Sequence, residues 1–154
     1  MSKLYAQVAA TPGSGGASVA ALYPMGIGLD TTLLSTEVVL GSHYLDPALF
    51  SGTSVSLRLV GFYASTDGAS IARVYLYDMG PGTGVFTPVR RAKVEIPFSS
   101  VGAVVKVDQA LTLTATPGVD LNQIHTSARV YEARMYLAAT NGSMAVSWAG
   151  FGVT

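Results

Sequence analysis

From residue 54 onward, apolar and polar side chains alternate with a period of two. In Ser54–Tyr63, Val55, Leu57, Leu59 and Tyr63 share one face, and Ser54, Ser56 and Arg58 the other. A period of two places successive side chains on opposite faces of a strand, so this pattern predicts a strand with one buried side. In Ile71–Tyr77, Ala72, Val74 and Leu76 oppose Arg73, Tyr75 and Tyr77. Ser65-Thr66-Asp67-Gly68 between them supplies turn chemistry, and the two runs read as a hairpin. Val89–Ile96 alternates again, with Ala92, Val94 and Ile96 opposing Arg91, Lys93 and Glu95. Val101–Val107 and Leu111–Ala115 read as two further short strands. Arg129–Ala139 is the longest, with Tyr131, Ala133, Met135 and Leu137 facing away from Val130, Glu132, Arg134 and Tyr136. Asn141-Gly142 is a strong type I′ hairpin signal, and it predicts a returning strand with Met144, Val146 and Trp148 on one face.

Breakers separate these runs. Met79-Gly80-Pro81-Gly82-Thr83-Gly84 is a loop, and Thr116-Pro117-Gly118 is another stop. The single short helical candidate is Asp46–Phe50, where Pro47 suits a first turn. Roughly seven to nine short strands and no long helix predict an all-β fold, an antiparallel β-sandwich that is jelly-roll-like. The first residues depart from this pattern. Thr11-Pro12-Gly13-Ser14-Gly15-Gly16 has linker composition, and no charge occurs between Lys3 and Asp30. Residues 1–36 are accordingly read as an extended N-terminal arm or strand-addition segment, and residues 37–154 as the sandwich. The alternative, that Val19–Leu29 is a strand of its own sandwich, stays open.

Composition narrows the function classes. Nine basic residues balance nine acidic ones, and charged residues make up 12% of the 154. That is about half the usual share in a soluble domain. With 49% apolar residues the chain has ample material for a core, and disorder by charge repulsion is excluded. A neutral chain offers no field to draw in nucleic acid or an anionic membrane. The cluster Arg90, Arg91 and Lys93 near Phe86 is the local exception, and Glu95 offsets it. Val19–Leu29 is the longest apolar stretch. It is broken by Pro24, Gly26 and Gly28 and falls short of the ~20 residues of a spanning helix. The apolar run after Lys3 is short and holds Gln7, so a cleavable export signal is not expected. Cysteine is absent, which removes disulfides, thiolate catalysis and cysteine-bound zinc.

Candidate chemistry is sparse. His43 and His125 stand far apart, and His43 with Asp46 leaves any metal under-coordinated. Asp78, Asp67 and Asp120 lack a calcium-loop spacing. The glycine loop is followed by Val85-Phe86-Thr87-Pro88 where a phosphate site requires a helix N-terminus. Gly16-Ala17-Ser18-Val19-Ala20 is only near the nucleophile-elbow pattern. No catalytic residue, cofactor or metal is therefore expected, and the chain reads as a non-enzyme. Few charges and eight tyrosines favour surfaces that end in interfaces. The candidate interface residues are Leu22, Tyr23, Met25, Ile27 and Leu29 in the uncharged stretch, with Arg90 and Arg91.

Tyr44-Leu45-Asp46-Pro47, Leu57-Arg58-Leu59, and Val74-Tyr75-Leu76-Tyr77-Asp78 with its glycine loop carry a resemblance. Together with Arg129–Ala139 and its Asn-Gly return, they resemble β-sandwich modules of tailed-bacteriophage virion proteins. The likeness covers residues 44–154 and is nearest to capsid decoration (cement) proteins. Neck, tail and fibre proteins carry such modules too. No functional residue transfers, because these modules work through surfaces. The resemblance implies a virion structural protein, assembled in the host cytoplasm, that trimerises and binds a major capsid protein. The alternative is a tail, neck or fibre module binding a host glycan or receptor, with Tyr75, Tyr77 and Tyr136 as an aromatic platform. With two histidines, stability is expected to vary little between about pH 6 and 8.

Overall fold

The computed structural model describes residues 21–32, 34–49, 54–65, 71–96, 103–138 and 142–153. Nine strands run through them: β1 (Ala21–Thr32), β2 (Leu34–Leu45), β3 (Val55–Ser65), β4 (Ile71–Asp78), β5 (Val89–Ile96), β6 (Ala103–Thr114), β7 (Gln123–His125), β8 (Arg129–Ala138) and β9 (Gly142–Val153). They form two sheets, one ordered β1-β9-β3-β6-β7 and the other β2-β8-β4-β5. Every pairing but one is antiparallel, the exception being the short parallel β6–β7 ladder. Leaving β7 aside, four strands interleave with four in the order of a jelly roll. The all-β, jelly-roll-like expectation is met. The short helical segment is there as a 3-10 turn, Pro47–Leu49.

The alternation read from the chain does assign faces. Val55, Leu57 and Leu59 of β3, Val74 and Leu76 of β4, and Tyr131, Ala133, Met135 and Leu137 of β8 are all buried. They join Leu40, Leu45, Leu111, Ile124, Ala149, Phe151 and Val153 in one core between the sheets. Tyr131 packs edge-on to Phe151 at 5.5 Å. Its hydroxyl accepts a 3.0 Å hydrogen bond from the His125 backbone N–H, which ties β7 to the core. Burial pushes the Tyr131 phenol up to about 12.

Strand partners differ from the alternation-based reading. Ser54–Tyr63 and Ile71–Tyr77 do not form a hairpin: β3 pairs with β6 and β9, and β4 with β5 and β8. The strands flanking Asn141-Gly142 also part, β8 going to one sheet and β9 to the other. Period-two alternation reports which face of a strand is buried, but not which edge meets which neighbour. The two short strands read at Val101–Val107 and Leu111–Ala115 are one strand, β6. The polar step Asp108-Gln109-Ala110 does not interrupt it, because Asp108 pairs in register with Arg58 on β3. β7 escapes the pattern because three residues are too few to show a period, although Ile124 at its centre is fully buried.

On the alkaline side, stability is expected to be flat from about pH 8 to 10 and to fall as pH rises from 10 to 12. The unfolded chain releases the Tyr131 proton near 10, while the fold retains it until about 12. The difference corresponds to roughly 2–3 kcal/mol at the alkaline end. Urea titrations at pH 8 and 11 read the effect, and the Tyr131→Phe variant should lose this Tyr131-linked decline. That variant should also lose about 1–3 kcal/mol at pH 8, because the His125 N–H is left without its acceptor. An unchanged pH profile in the variant would show that the decline arises elsewhere.

Candidate functional site

One end of the sandwich gathers the features most suited to function. The 3-10 turn region, the loop 79–88 after β4 and the segment 115–128 around β7 all lie there. The register places the start of β1 at the same end, since Ala21 and Val55 both oppose Val153. Leu45 opposes Arg129, and Asp78 opposes both Val89 and Tyr131.

This end is built around a buried ion pair. Alternation along β4 turns Asp78 inward behind Val74 and Leu76, and its side chain is 0% exposed. A β-bulge interrupts the β4–β5 ladder, with Leu76 opposite Ala92 but Tyr77 opposite Arg90. Arg91 is the extra residue and is thereby freed from the polar face that strict alternation assigns to it. It turns to Asp78, reaching its Oδ2 at 3.1 and 3.3 Å. The other Asp78 oxygen accepts the Gly80 N–H at 2.9 Å. Arg91 also donates to the carbonyls of Pro117 and Gly118, so one guanidinium joins β4 to the segment after β6.

Its neighbour Arg90 grips the same segment from outside, with two 2.6 Å bonds to Asp120. The Arg90 guanidinium holds the Asp120 carboxyl below the usual carboxylate range. Asp120 and Asn122 adopt left-handed backbone (φ 55° and 56°), a region that Asp and Asn tolerate best among side-chain-bearing residues. Those two turns aim the Asp120 and Asn122 N–H groups at the Arg90 and Arg91 carbonyls, at 3.2 and 2.9 Å. The segment thus caps the start of the β5 edge, which would otherwise invite strand pairing. In the loop 79–88, Gly80 has φ +91° and lies under the Phe86 ring, where a Cβ would come within 2.5 Å. Arg129 stacks over the other part of that ring at 5.6 Å.

Beside these paired charges, this end carries most of the exposed large hydrophobic residues among those described. Leu49, Val85, Val119 and Leu121 are exposed there, with Tyr44 beside them near the end of β2. Val39, further along β2, is the one exposed large hydrophobic residue among those described that lies away from this end.

The outer face of the four-stranded sheet is polar and aromatic. Tyr75 lies 6.2 Å from Tyr136 and 6.5 Å from Tyr77, so the three tyrosines named as an aromatic platform do gather, as a cross-strand cluster. Arginines cover it: Arg90 sits 4.6 Å above Tyr75 and Arg134 4.3 Å above Tyr77. Tyr77 donates to Glu37 at 2.8 Å, and Arg134 reaches both Glu132 and Glu37. Arg73 pairs with Glu95 at 2.9 Å. Tyr75 is only 5% exposed under this cover. These polar groups bind one another rather than pointing at a vacant centre.

The remaining sequence candidates separate. Leu22, Tyr23, Met25, Ile27 and Leu29 lie along β1, the edge strand paired with β9, and their side chains lie outside the described residues. Gly16–Ala20 and the linker at 11–16 also lie outside them. Ser127 Oγ stands 2.7 Å from His125 Nδ1, but the same nitrogen accepts the Ser127 backbone N–H, which marks a turn contact. Among the described residues, no group of three histidines or carboxylates is placed to hold a metal ion. No helix among them is long and apolar enough to cross a membrane. The sequence pattern missed the Asp78–Arg91 pair, because a bulge leaves no mark in alternation. The only signal was an acid closing an apolar strand just before a glycine loop.

No known protein family matches the sequence, and no characterised protein matches it either. Solved structures match in shape. The structure of infectious bursal disease virus Gx strain covers 88% of this chain and 31% of its own, at 12% identity and a TM-score of 0.48. The VP2 subviral particle of that virus covers 88% and 32%, at 11% identity and 0.46. Its T13 viral particle covers 87% and 31%, at 11% identity and 0.49. The chain spans about a third of the length of these virus-particle chains, and the likeness concerns shape alone.

Asp78→Asn keeps an acceptor for the Gly80 N–H and removes the charge facing Arg91. Leaving that guanidinium buried without its partner should cost about 3–5 kcal/mol. Denaturant unfolding measures the loss. A change below about 0.5 kcal/mol, the size of an ordinary surface substitution, would mean that solvent reaches Arg91.

Proposed function

We propose that this chain is a non-enzymatic structural component of a virus particle, one that decorates and stabilises a capsid through oligomeric surface contacts. The observation that carries the reading is the end bearing Leu49, Val85, Val119 and Leu121 on a jelly roll whose Arg90 and Arg91 are already paired there. Exposed apolar side chains converging on one surface mark a contact between proteins. Arg90 and Arg91 beside them are tied to Asp120 and Asp78, which favours contact through the apolar side chains. The likeness of residues 44–154 to decoration modules supports the same reading. In it, the chain associates as a homotrimer, the major capsid protein is its partner, and residues 1–36, of which 21–32 also form β1 of this sandwich, carry the interface through Leu22, Tyr23, Met25, Ile27 and Leu29. Assembly takes place in the host cytoplasm.

The glycan-binding alternative requires open aromatic faces. Tyr75 and Tyr77 carry arginines over theirs, so a sugar would have to displace Arg90 or Arg134.

Sedimentation of the purified full chain at micromolar concentration tests the reading. A single species of three times the monomer mass is expected. A clean monomer across that range would overturn self-association. Saturable binding to a panel of immobilised glycans would favour the tail or fibre alternative.

A further inference from the structure

The exposed apolar end sits where the chain enters the fold. β1 begins at Ala21 opposite Val153, so its first residue arrives at this end and runs away from it into the five-stranded sheet. Twenty residues precede it. Their side chains include a single charge, Lys3, and the apolar run Leu4-Tyr5-Ala6-Gln7-Val8-Ala9-Ala10. Residues 11–20 form a tether of about 33–36 Å when extended, comfortably more than the roughly 14–20 Å spanned by four strands side by side.

We propose that the end carrying Leu49, Val85, Val119 and Leu121 is a docking surface for Leu4–Ala10 of a second copy of this chain. Three features favour that occupant. The surface is largely apolar and Arg90 and Arg91 beside it are paired, so a nearly uncharged segment desolvates neither guanidinium. Asp46 at the rim makes no ion pair among the described residues, its carboxylate accepts the Ala48 N–H, and it offers Lys3 a counter-charge. The direction of β1 matters too. Because β1 starts at this end, the residues that precede it are attached where two copies meeting end to end would bring each segment within reach of the other's surface. The proposal rests on the reading of the chain as a self-associating particle component, and it adds where on the fold one copy receives another.

The chain has no cysteine, so single thiols can be placed without background. Val85 is fully exposed, and Val85→Cys leaves the core untouched. Full-length Tyr5→Cys is mixed with full-length Val85→Cys, and separately with Leu121→Cys, under mild oxidation. Lys106→Cys, on an exposed position of β6, is the control. Covalent heterodimer should form at least five-fold more with Val85→Cys or Leu121→Cys than with Lys106→Cys. Equal yields overturn the docking surface. A Tyr5→Cys/Val85→Cys double variant that closes only within one chain overturns the second copy as occupant. Sedimentation of the unmodified chain keeps the two readings apart. An oligomer without preferential cross-linking sinks this proposal alone, and a monomer sinks the self-association on which it rests.

Discussion

The buried pair of Asp78 and Arg91 is the contact on which the organisation of the loop end depends. A carboxylate with no solvent exposure is costly unless a cation and hydrogen-bond donors surround it. Arg91 and the Gly80 N–H supply these. Satisfying that carboxylate dictates three other features. β5 must bulge so that Arg91, rather than Arg90, turns toward the inward-facing carboxylate. Gly80 must take a left-handed turn that brings its N–H under the carboxylate. The segment after β6 must come close enough for its carbonyls to accept the remaining Arg91 protons. Such a pair adds little net stability over an apolar substitute, but it permits few alternative arrangements.

How far the chain alone reveals this fold follows from what alternation encodes. Leu57, Leu59, Val74, Leu76, Tyr131 and Met135 are legible as core because each is flanked by polar or small residues in strict period two. Their partners are not legible. In a jelly roll, successive strands pass between sheets, so Ser54–Tyr63 and Ile71–Tyr77 are neighbours in sequence without sharing a hydrogen bond. Turn chemistry at Ser65–Gly68 and Asn141-Gly142 signals a reversal, and a reversal between two sheets requires the same residue types as one within a sheet. The loop-end surface was hidden for another reason. Val85, Val119 and Leu121 lie in segments that read as punctuation, and it is the clamps from Arg90 and Arg91 that hold the segment of Val119 and Leu121 against β5.

The polar outer face illustrates how a chain with so few charges uses them. Arg73, Arg90 and Arg134 each meet both a tyrosine hydroxyl or ring and a carboxylate. A planar guanidinium can stack and hydrogen-bond together, which an ammonium cannot. The result is a flat, tied surface over the sheet with few free donors.

The position of β9 carries a consequence for synthesis. It is the last strand in the chain, yet it lies between β1 and β3 in the five-stranded sheet. While the ribosome is still working, the facing edges of β1 and β3 have no partner to close them. Unpaired edges of this kind invite pairing with other chains. The sheet can close only after Gly142–Val153 has been made, so its closure depends on contacts between distant parts of the chain. Removing β9 would therefore leave two facing edges open to other chains rather than yield a smaller domain.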